Sequence, residues 1–409
     1  EGIVTNTLGT SNFVAGVNAG NSITSGGNYN TVVGDEAGTA ITTGDNNTAV
    51  GQDALKSTTT ADHNTAVGQA ALYTNTTGTT NTAVGRASMY ANTTGGANTA
   101  VGYAALNTNT TASNNTAVGY QSLQANTTGA GNVAVGRQAL LVNTTAGSNT
   151  ALGDQALNAN TTGASNTAVG SAALASNTTA SENTAVGLSA MISNTTGASN
   201  TAIGYQALIN NTTASNNTAT GFNALYTNTT GTLNVANGWR ALYANTTGSN
   251  NIAVGYKSLY SNTTGDYNTA VGAVSLENNT TGTLNAAFGR YALNANTTGY
   301  QNTALGEGAG YTNTTGNQSI WIGRAATSTS ATASGQCTLG GTYITNLRCN
   351  DTTISSLSDS RDKTDVIDSP YGLDFINTVR PVQFLWNTRD GNAKDGSTRI
   401  GFLAQELLA

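Results

Sequence analysis

The chain of 409 residues contains few charged residues, and this and other scarcities exclude several classes of protein. Only 8% of its residues are charged, and 14 basic against 20 acidic residues give a net charge of −6. With no basic patch, nucleic acid and anionic membrane surfaces are unfavourable partners. No apolar run is long enough to cross a membrane, so we expect no membrane insertion. His63 is the single histidine. Histidine metal clusters and Ser-His-Asp triads are therefore excluded, and we expect no cofactor and no metal.

Proline and cysteine are also rare, with two residues of each. Cys337 and Cys349, twelve residues apart, do not make a disulfide framework in a chain of this length. We expect both to be reduced and buried, with a disulfide as the alternative. Glycine, by contrast, occurs 49 times. Such a composition would predict disorder if it had no periodicity.

Glycine recurs at intervals of seventeen residues through most of the chain. Eighteen such glycines run from Gly34 to Gly323 without an insertion or deletion. A loop in an ordinary globular domain tolerates changes of length, because closing a slightly longer loop costs little entropy. A period this strict indicates that every unit stacks on its neighbours, as in a solenoid.

Each unit has the composition of short strands and turns. A representative unit begins with Asn-Thr-Ala-Val-Gly at residues 64–68. This alternating, β-branched start favours a strand, and a unit of seventeen residues cannot hold two stable helices with their turns. We predict an all-β fold, a β-roll or β-solenoid of 17-residue coils with two short strands in each coil.

The two recurrent glycine positions tolerate different residues. The position of Gly68 is glycine in all eighteen copies, whereas the position of Gly78 is alanine in other coils, for example at Ala112. The first position therefore needs a positive φ or a very close backbone approach. The second needs only a small residue at the end of a turn.

Asn-Thr-Thr occurs fifteen times, from Asn75 to Asn313. Stacked coils would align these asparagines into a ladder flanked by threonines, in which side-chain amides bond along the fibre axis. The same triplet is an N-glycosylation acceptor, which is the alternative interpretation. We favour the ladder because asparagine is itself a good turn residue.

The strand of each coil is apolar at two adjacent positions, as in Ala66 and Val67. Adjacent strand residues point to opposite faces, so both faces require burial. One face fills the coil together with the row of Leu72, and the other needs a partner, most simply identical chains around an axis. We predict a homotrimeric rod whose coils rise on the order of 85 Å in total, from a spacing of ~4.8 Å.

Aromatic residues form two columns in the middle of the repeat region. They follow the invariant glycine by one residue in four consecutive coils and by five residues in three of them. In an extended segment these rings lie on one face, separated by Ala224, Ala241 and Ser258, and make a shallow trough that suits sugar rings. The alternative is aromatic packing between chains or along a ladder. The candidate ligand contacts are Tyr205, Phe222, Trp239 and Tyr256 in the first column, and Tyr226, Tyr243 and Tyr260 in the second.

Asn237 interrupts the apolar row, in a position that is valine in most coils. A buried polar group needs partners. If the three copies in a trimer face the axis, we expect them to pair with one another or to hold a water or an ion. Asn237 would then fix the register of the chains.

Organisation along the chain follows the period. Residues 1–33 carry an imperfect unit and are predicted to be an entry or capping segment, residues 34–325 the solenoid, and residues 326–357 a stalk. Charge appears abruptly at residues 358–409. There a helix begins near Pro370, a strand is predicted at Val382–Trp386 and a returning strand at Ile400–Leu403, giving a small α+β module.

Three ordered motifs in this module resemble a known family. They are Ser-Asp-Ser-Arg-Asp-Lys at 358–363, Arg-Pro-Val-Gln-Phe-Leu-Trp at 380–386 and Gly-Phe-Leu-Ala-Gln-Glu at 401–406. Together they resemble the start of the self-cleaving intramolecular chaperone of the endosialidase type, found at the end of phage tail fibres and tailspikes. Ser360 departs from the glutamate frequent in that family.

The resemblance implies that the module trimerises, folds the preceding fibre in register and then cleaves itself off. Carried over residue by residue, Ser358 is the nucleophile and Lys363 the base for a single cleavage between Leu357 and Ser358. A lysine with a pKa lowered by burial can activate a serine without histidine. No reaction with multiple turnovers is expected.

The repeats separately resemble the β-roll heads of trimeric autotransporter adhesins. The terminal motifs decide between the two resemblances, and they imply a phage tail fibre or virion appendage that is extracellular. Its partners would be itself, other virion tail proteins, and a host-surface glycan or protein receptor. The alternative is a trimeric adhesin at a cell surface or secreted from it. A glycan-degrading tailspike is less favoured, because it needs paired carboxylates in a cleft. The acids of the repeats are scattered: Glu182, Asp266, Glu277 and Glu307.

Overall fold

A computed structural model describes residues 7–341 and 344–346, and the backbone of two strands nearer the C-terminus, 382–387 and 394–401. The chain divides into two compact units, residues 1–347 and 348–409. No described residue lies in a helix. The part of the chain that is described accordingly has no helix capable of crossing a membrane.

Twenty short strands, each of three residues, stack into one parallel sheet. Partners in successive coils are seventeen residues apart, as in Thr65 and Thr82. The first pair, Phe13 and Thr31, is offset by eighteen, so the entry coil is stacked on the solenoid with one additional residue. The strands are β1 (Phe13–Ala15), β2 (Thr31–Val33), β3 (Thr48–Val50), β4 (Thr65–Val67), β5 (Thr82–Val84), β6 (Thr99–Val101), β7 (Thr116–Val118), β8 (Val133–Val135), β9 (Thr150–Leu152), β10 (Thr167–Val169), β11 (Thr184–Val186), β12 (Thr201–Ile203), β13 (Thr218–Thr220), β14 (Val235–Asn237), β15 (Ile252–Val254), β16 (Thr269–Val271), β17 (Ala286–Phe288), β18 (Thr303–Leu305), β19 (Ile320–Ile322) and β20 (Cys337–Leu339).

The predicted all-β solenoid of 17-residue coils is confirmed, and so is the role of its invariant glycine. Gly68 has a φ of 133°, and a β-carbon placed there would lie 2.7 Å from the carbonyl carbon of Gly85 in the next coil. The glycine thus satisfies both conditions inferred from its invariance. Gly78 has no positive φ.

The prediction of two strands in each coil is wrong, because the segment after the glycine is not extended. Ala70 and Leu72 have left-handed φ values of 56° and 50°. These residues break the alternation of a strand, although the segment still bonds between coils, with the amide of Leu72 donating to the carbonyl of Ser88 at 3.0 Å. Each coil therefore has one strand, and turns form its other sides.

The interior of a coil is narrow and apolar. Ala66 from the strand, with Ala71 and Leu72 from the opposite side, are fully buried, and equivalent residues repeat along the solenoid. Most coils bury only two alanines, or an alanine and a serine, and one leucine or methionine. The stability gained from burying these few apolar groups is supplemented by hydrogen-bonded ladders of polar side chains.

The predicted asparagine ladder is present. The side-chain amide of Asn92 donates to Oδ1 of Asn75 at 2.8 Å and to the carbonyl oxygen of Gly95 at 2.9 Å. The flanking threonines also bond along the axis, with the hydroxyl of Thr76 donating to the carbonyl of Thr93 at 3.1 Å. Asn75 and Asn92 are fully buried. An amide engaged in this way is inaccessible to glycosylation in the folded coil.

A second asparagine ladder, not predicted, runs beside the first. The backbone amide of Asn81 donates to Oδ1 of Asn64 at 3.0 Å, and its side-chain amide donates to the carbonyl oxygen of Gly95 at 2.8 Å. The carbonyl of Gly95 thus accepts from both ladders. A β-carbon at Gly95 would meet the carbonyl oxygen of Ala112 and lie 2.6 Å from Oδ1 of Asn92, which explains why this position admits only a small residue.

In the terminal coils, a larger side chain at one interior position accompanies a glycine at a neighbouring interior position. Near the C-terminal end, Trp321 fills the place of the strand alanine and is fully buried, while Gly310 stands where other coils have leucine. A β-carbon on Gly310 would lie 2.9 Å from the Trp321 ring. Near the N-terminus, Gly38 replaces the leucine and Ile41 replaces the ladder asparagine. Packing is thus conserved by paired changes.

The outer face of the sheet carries an apolar row on the side opposite the coil interior. We call the residues immediately before the invariant glycines the outer stripe. Its larger members are solvent-exposed in the single chain: Leu152 (47%), Ile203 (41%), Phe288 (41%), Leu305 (51%) and Ile322 (41%). The predicted second apolar face therefore exists, and these five side chains remain 41% to 51% exposed within one chain.

The sheet continues into the segment predicted as a stalk, since Cys337 of β20 pairs with Ile320 of β19. Cys337 is free and exposed, so the expectation that it is buried is wrong. It occupies an outward position of its strand, in register with outward-facing Ile320. Cys349 lies outside the described residues.

In the second unit, β21 (Val382–Asn387) and β22 (Lys394–Gly401) form an antiparallel pair. The first strand was predicted at Val382–Trp386, and the returning strand begins earlier than the predicted Ile400. Val382 of the second motif pairs with Gly401, the first residue of the third motif, so the two motifs meet at this end of the strand pair. The helix predicted near Pro370 lies outside the described residues.

Candidate functional site

The sequence-predicted residues fall in three separate places. Ser358 and Lys363 lie outside the described residues. Asn237 is exposed on the outer stripe, in register with Thr220 and Val254 of the neighbouring strands. The seven aromatic residues lie together on another side of the coils, in the segment that follows the invariant glycine.

Both predicted aromatic columns are continuous stacks. In the first column the ring centroids of Tyr205 and Phe222 are 5.2 Å apart, those of Phe222 and Trp239 6.1 Å, and those of Trp239 and Tyr256 5.0 Å. In the second column Tyr243 stacks at 5.1 Å on both Tyr226 and Tyr260. All these ring pairs are parallel to within 13°.

The stacks remain partly open to solvent. Carbon atoms in contact lie about 3.5–4.0 Å apart, so parallel rings with centroids 5 to 6 Å apart must be offset. Part of each ring face and its outer edge stay uncovered. Tyr205, Phe222 and Tyr256 are exposed at 42%, 40% and 49%. The first column also ends in a step at Tyr256. The equivalent residue in the next coil is Ala273, which has no ring to stack on Tyr256.

The residues between the two columns differ from those predicted. Ala224, Ala241 and Ser258 point into the coil and are fully buried. Each of these three residues lies between two residues with left-handed φ, and this backbone turns its side chain toward the coil interior. The residue before it, which is the second after the invariant glycine, is instead directed toward the outside. Those residues are Asn223, Arg240 and Lys257, with φ values of 53°, 53° and 51°.

Arg240 and Lys257 place cationic groups against the rings of both columns. The guanidinium carbon of Arg240 is 4.4 Å from the Trp239 ring centroid and 5.2 Å from that of Tyr243. Nζ of Lys257 is 5.7 Å from the Tyr256 centroid and 5.1 Å from that of Tyr260. Cations at these distances are attracted by the ring quadrupole, which fixes the position of the charge. We call these seven rings, with Asn223, Arg240 and Lys257, the aromatic face.

The two cations differ in how far their charge is balanced. Lys257 forms an ion pair with Glu277 at 3.6 Å. No carboxylate of the described residues pairs with Arg240, and Arg240 and Lys257 are the only charged residues in the sequence between Glu182 and Asp266. Arg137, on the same side of an earlier coil, instead binds Asp154 at 2.8 Å, and this hydrogen bond raises the pKa of Arg137. Arg240 thus remains an unneutralised cation.

Two polar atoms of the aromatic face are buried without a hydrogen-bond partner among the described residues. They are Oδ1 of Asn223 and Nε of Arg240, which lie in successive coils. A buried polar atom left unpaired costs about 1–3 kcal/mol. The face therefore contains one unpaired acceptor and one unpaired cationic donor, which a ligand reaches only when a covering side chain moves.

The scattered acids of the repeats serve local contacts. Glu182 accepts a hydrogen bond from Ser199, and Asp266 accepts one from the amide of Ser249. Glu307 pairs with Arg324 at 3.2 Å. The described residues contain no group of three or more histidine, cysteine, aspartate or glutamate side chains that could hold a metal ion.

The comparison with known families concerns the second unit. Residues 358–409 match the family model described as the chaperone of endosialidase (Peptidase S74). The matched segment includes the pair β21 and β22 and the residues Ser358 and Lys363. A search of the curated proteins finds no match to this chain. The family evidence therefore identifies the terminal module as a chaperone domain and leaves the solenoid to be interpreted from its own structure.

Proposed function

We propose that the chain is a homotrimeric structural fibre of a phage or related virion, and that it contacts the host surface along the sides of its solenoid. The observation that carries the proposal is the chaperone of endosialidase at residues 358–409, directly after a parallel β-solenoid. Long stacked repeats can pair out of register by a whole coil at little cost. A terminal clamp that sets the register is what such a fibre needs.

The outer stripe supports trimerisation. Its large side chains lie on the outer face of the sheet and are 41% to 51% exposed in the single chain. Burying them against two further copies would remove apolar surface from water at about 25 cal/mol per Å². In this arrangement Asn237 of each chain lies in the interface and pairs with its counterparts, fixing the register.

The terminal module sets the trimer and then separates from it. In this proposal Oγ of Ser358 attacks the carbonyl carbon of Leu357 while Lys363 accepts the hydroxyl proton. The peptide C–N bond breaks as that proton passes to the amine of Ser358, and water then hydrolyses the ester, which releases the carboxylate of Leu357. The cleavage occurs once and makes assembly irreversible, because the clamp is removed after the coils have stacked. The released fibre then belongs to the virion and faces the host.

The test compares two pairs of exposed apolar residues. Leu305→Asp with Ile322→Asp alters the outer stripe, while Leu233→Asp with Leu284→Asp alters residues of similar exposure, 53% and 50%, on another side. Light scattering should show that the first variant loses trimer or melts at a much lower temperature, because it places carboxylates of several chains together. The second should match the parent. Equal behaviour of the two variants would contradict the proposed interface.

The register role of Asn237 is tested in the same way. Asn237→Val should raise the proportion of misregistered assemblies, measured as heterogeneity of fibre length in electron micrographs. If Asn237→Val leaves both the stability and the register of the trimer unchanged, this role is wrong.

A further inference from the structure

We infer that the aromatic face binds an acidic saccharide, with its carboxylate or phosphate on Arg240. The inference rests on the proposed function, because it assigns the ligand class of a fibre that attaches to a host surface. It is carried by three independent features of the face: an unneutralised cation, unpaired buried polar atoms and exposed ring surface.

The cation selects an anionic ligand. The Arg240 guanidinium is held between the Trp239 and Tyr243 rings at 4.4 and 5.2 Å, and it has no acidic partner among the described residues. Guanidinium presents planar donors that match the oxygens of a carboxylate or phosphate. With Lys257 paired to Glu277, Arg240 is the group that remains free for an anion.

The polar atoms select a ligand that also donates hydrogen bonds. Asn223 is only 6% exposed, and its Oδ1 has no partner among the described residues. A carboxylate or phosphate alone cannot donate to this oxygen, whereas a sugar hydroxyl can. One ligand that carries both hydroxyls and an oxyanion would satisfy Asn223 and Arg240 together.

The rings select a ligand with apolar faces. Sugar rings present C–H surfaces, and the uncovered part of the first column, above all Tyr256 at its step, offers a flat apolar surface of matching kind. The columns run through four successive coils along the solenoid, so they suit an extended chain of sugars better than a single one. The ligand class is therefore an acidic oligosaccharide or polysaccharide.

The experiment measures binding of the full chain to immobilised polymers by biolayer interferometry. Polygalacturonate, alginate and hyaluronan carry carboxylates, phosphomannan carries phosphate, and dextran and unmodified mannan are neutral. We expect binding to an acidic polymer and none to the neutral ones, and the carboxylated and phosphorylated arms identify which oxyanion is used. Loss of Arg240 in the variant Arg240→Gln should weaken the binding about tenfold or more.

The matched control is Arg137→Gln, which removes a cation already paired with Asp154 on the same side of the solenoid. It should bind as the parent does. Trp239→Ala should also weaken binding while leaving the trimer intact. Three results would each overturn the inference. The parent could bind none of the acidic polymers, it could bind the neutral polymers equally well, or Arg240→Gln could bind as strongly as the parent.

Light scattering on the same samples separates the two proposals. A trimer that binds no acidic polymer refutes the ligand assignment alone. A single chain that binds the polymer through Arg240 refutes the trimeric fibre alone.

Discussion

At the scale of the residue, the coil depends on backbone conformations that most side chains avoid. Besides the invariant glycine, a typical coil holds three non-glycine residues at left-handed φ, for example Ala70, Leu72 and Thr80. Each costs of order 1–3 kcal/mol and persists only where the surroundings determine it. Here the determining contacts are the hydrogen bonds to the coils on either side, so isolated coils would not be stable.

The invariant glycine gives the sharpest prediction at this scale. Gly272 has a φ of 134°, and an added β-carbon would lie 2.6 Å from the carbonyl of Gly289. Gly272→Ala should therefore lower the free energy of unfolding by about 2 kcal/mol or more, measured by denaturant titration.

Gly265→Ala is the control in the same coil. It recreates the arrangement at Ala112, where an alanine lies between glycines of the adjacent coils. Its effect should be small. A similar loss in both variants would show that size alone, and not the left-handed conformation, governs the invariant position.

The sequence revealed the invariant glycine and the two aromatic columns, but it concealed the polar residues that lie between the columns. A residue that excludes every β-carbon is visible as invariance across the eighteen copies. Left-handed φ at Arg240 or Leu242 leaves no such mark, because these residues are neither glycine nor asparagine. If the segment after the glycine were extended, Ala241 would lie on the surface between the two columns. For this reason Ala241 was predicted there and Arg240 was missed. The absence of any nearby acid was the one signal that could have singled out Arg240.

At the scale of the element, most coils consist of a three-residue strand supported by two asparagine ladders. The ladders carry buried hydrogen bonds from coil to coil and supplement a core of only alanine and one leucine in each coil. The first ladder was predicted from the repeated triplet. The second was overlooked, although asparagine precedes the strand in almost every coil.

Breaking one rung of the first ladder should destabilise its neighbours as well. Asn177 donates to Asn160 at 2.8 Å and to the carbonyl of Ala180 at 2.9 Å, and it accepts from Asn194 at 3.0 Å. Asn177→Ala leaves buried groups unpaired and should cost about 2–4 kcal/mol.

Hydrogen exchange should show this loss as reduced protection at coils on both sides of residue 177. Thr179→Ala, an exposed residue of the same turn, is the control and should change stability by less than about 0.5 kcal/mol. Loss of protection confined to the mutated coil would contradict a cooperative ladder.

At the scale of the whole molecule, a repeat that specifies its own coil is followed in the sequence by a module that, in the proposed fibre, specifies the assembly. Every coil can pair with every other, so the solenoid alone does not define which coils of three chains align. In the proposed fibre, the module at residues 358–409, which matches the chaperone of endosialidase, would supply this information. Sequence motifs were enough to recognise that module, whereas the repeat period carries no information about partner chains or a receptor.

Cleavage is tested on the full chain and on Ser358→Ala. Denaturing gels should show two fragments for the parent and one band for the variant, since the hydroxyl is the nucleophile. Both should give trimers of the same register. An uncleaved parent that is correctly assembled would remove the protease role and leave the clamp.

The most direct measurement of the central claim is the mass of the assembled protein in solution. Light scattering coupled to size-exclusion chromatography, at several concentrations, should give three chains of 41.1 kDa each, less the terminal module where it has been cleaved. The proposed burial of the outer stripe and the proposed role of the chaperone module both predict that result. A mass of one chain, with the solenoid folded by circular dichroism, would contradict the account.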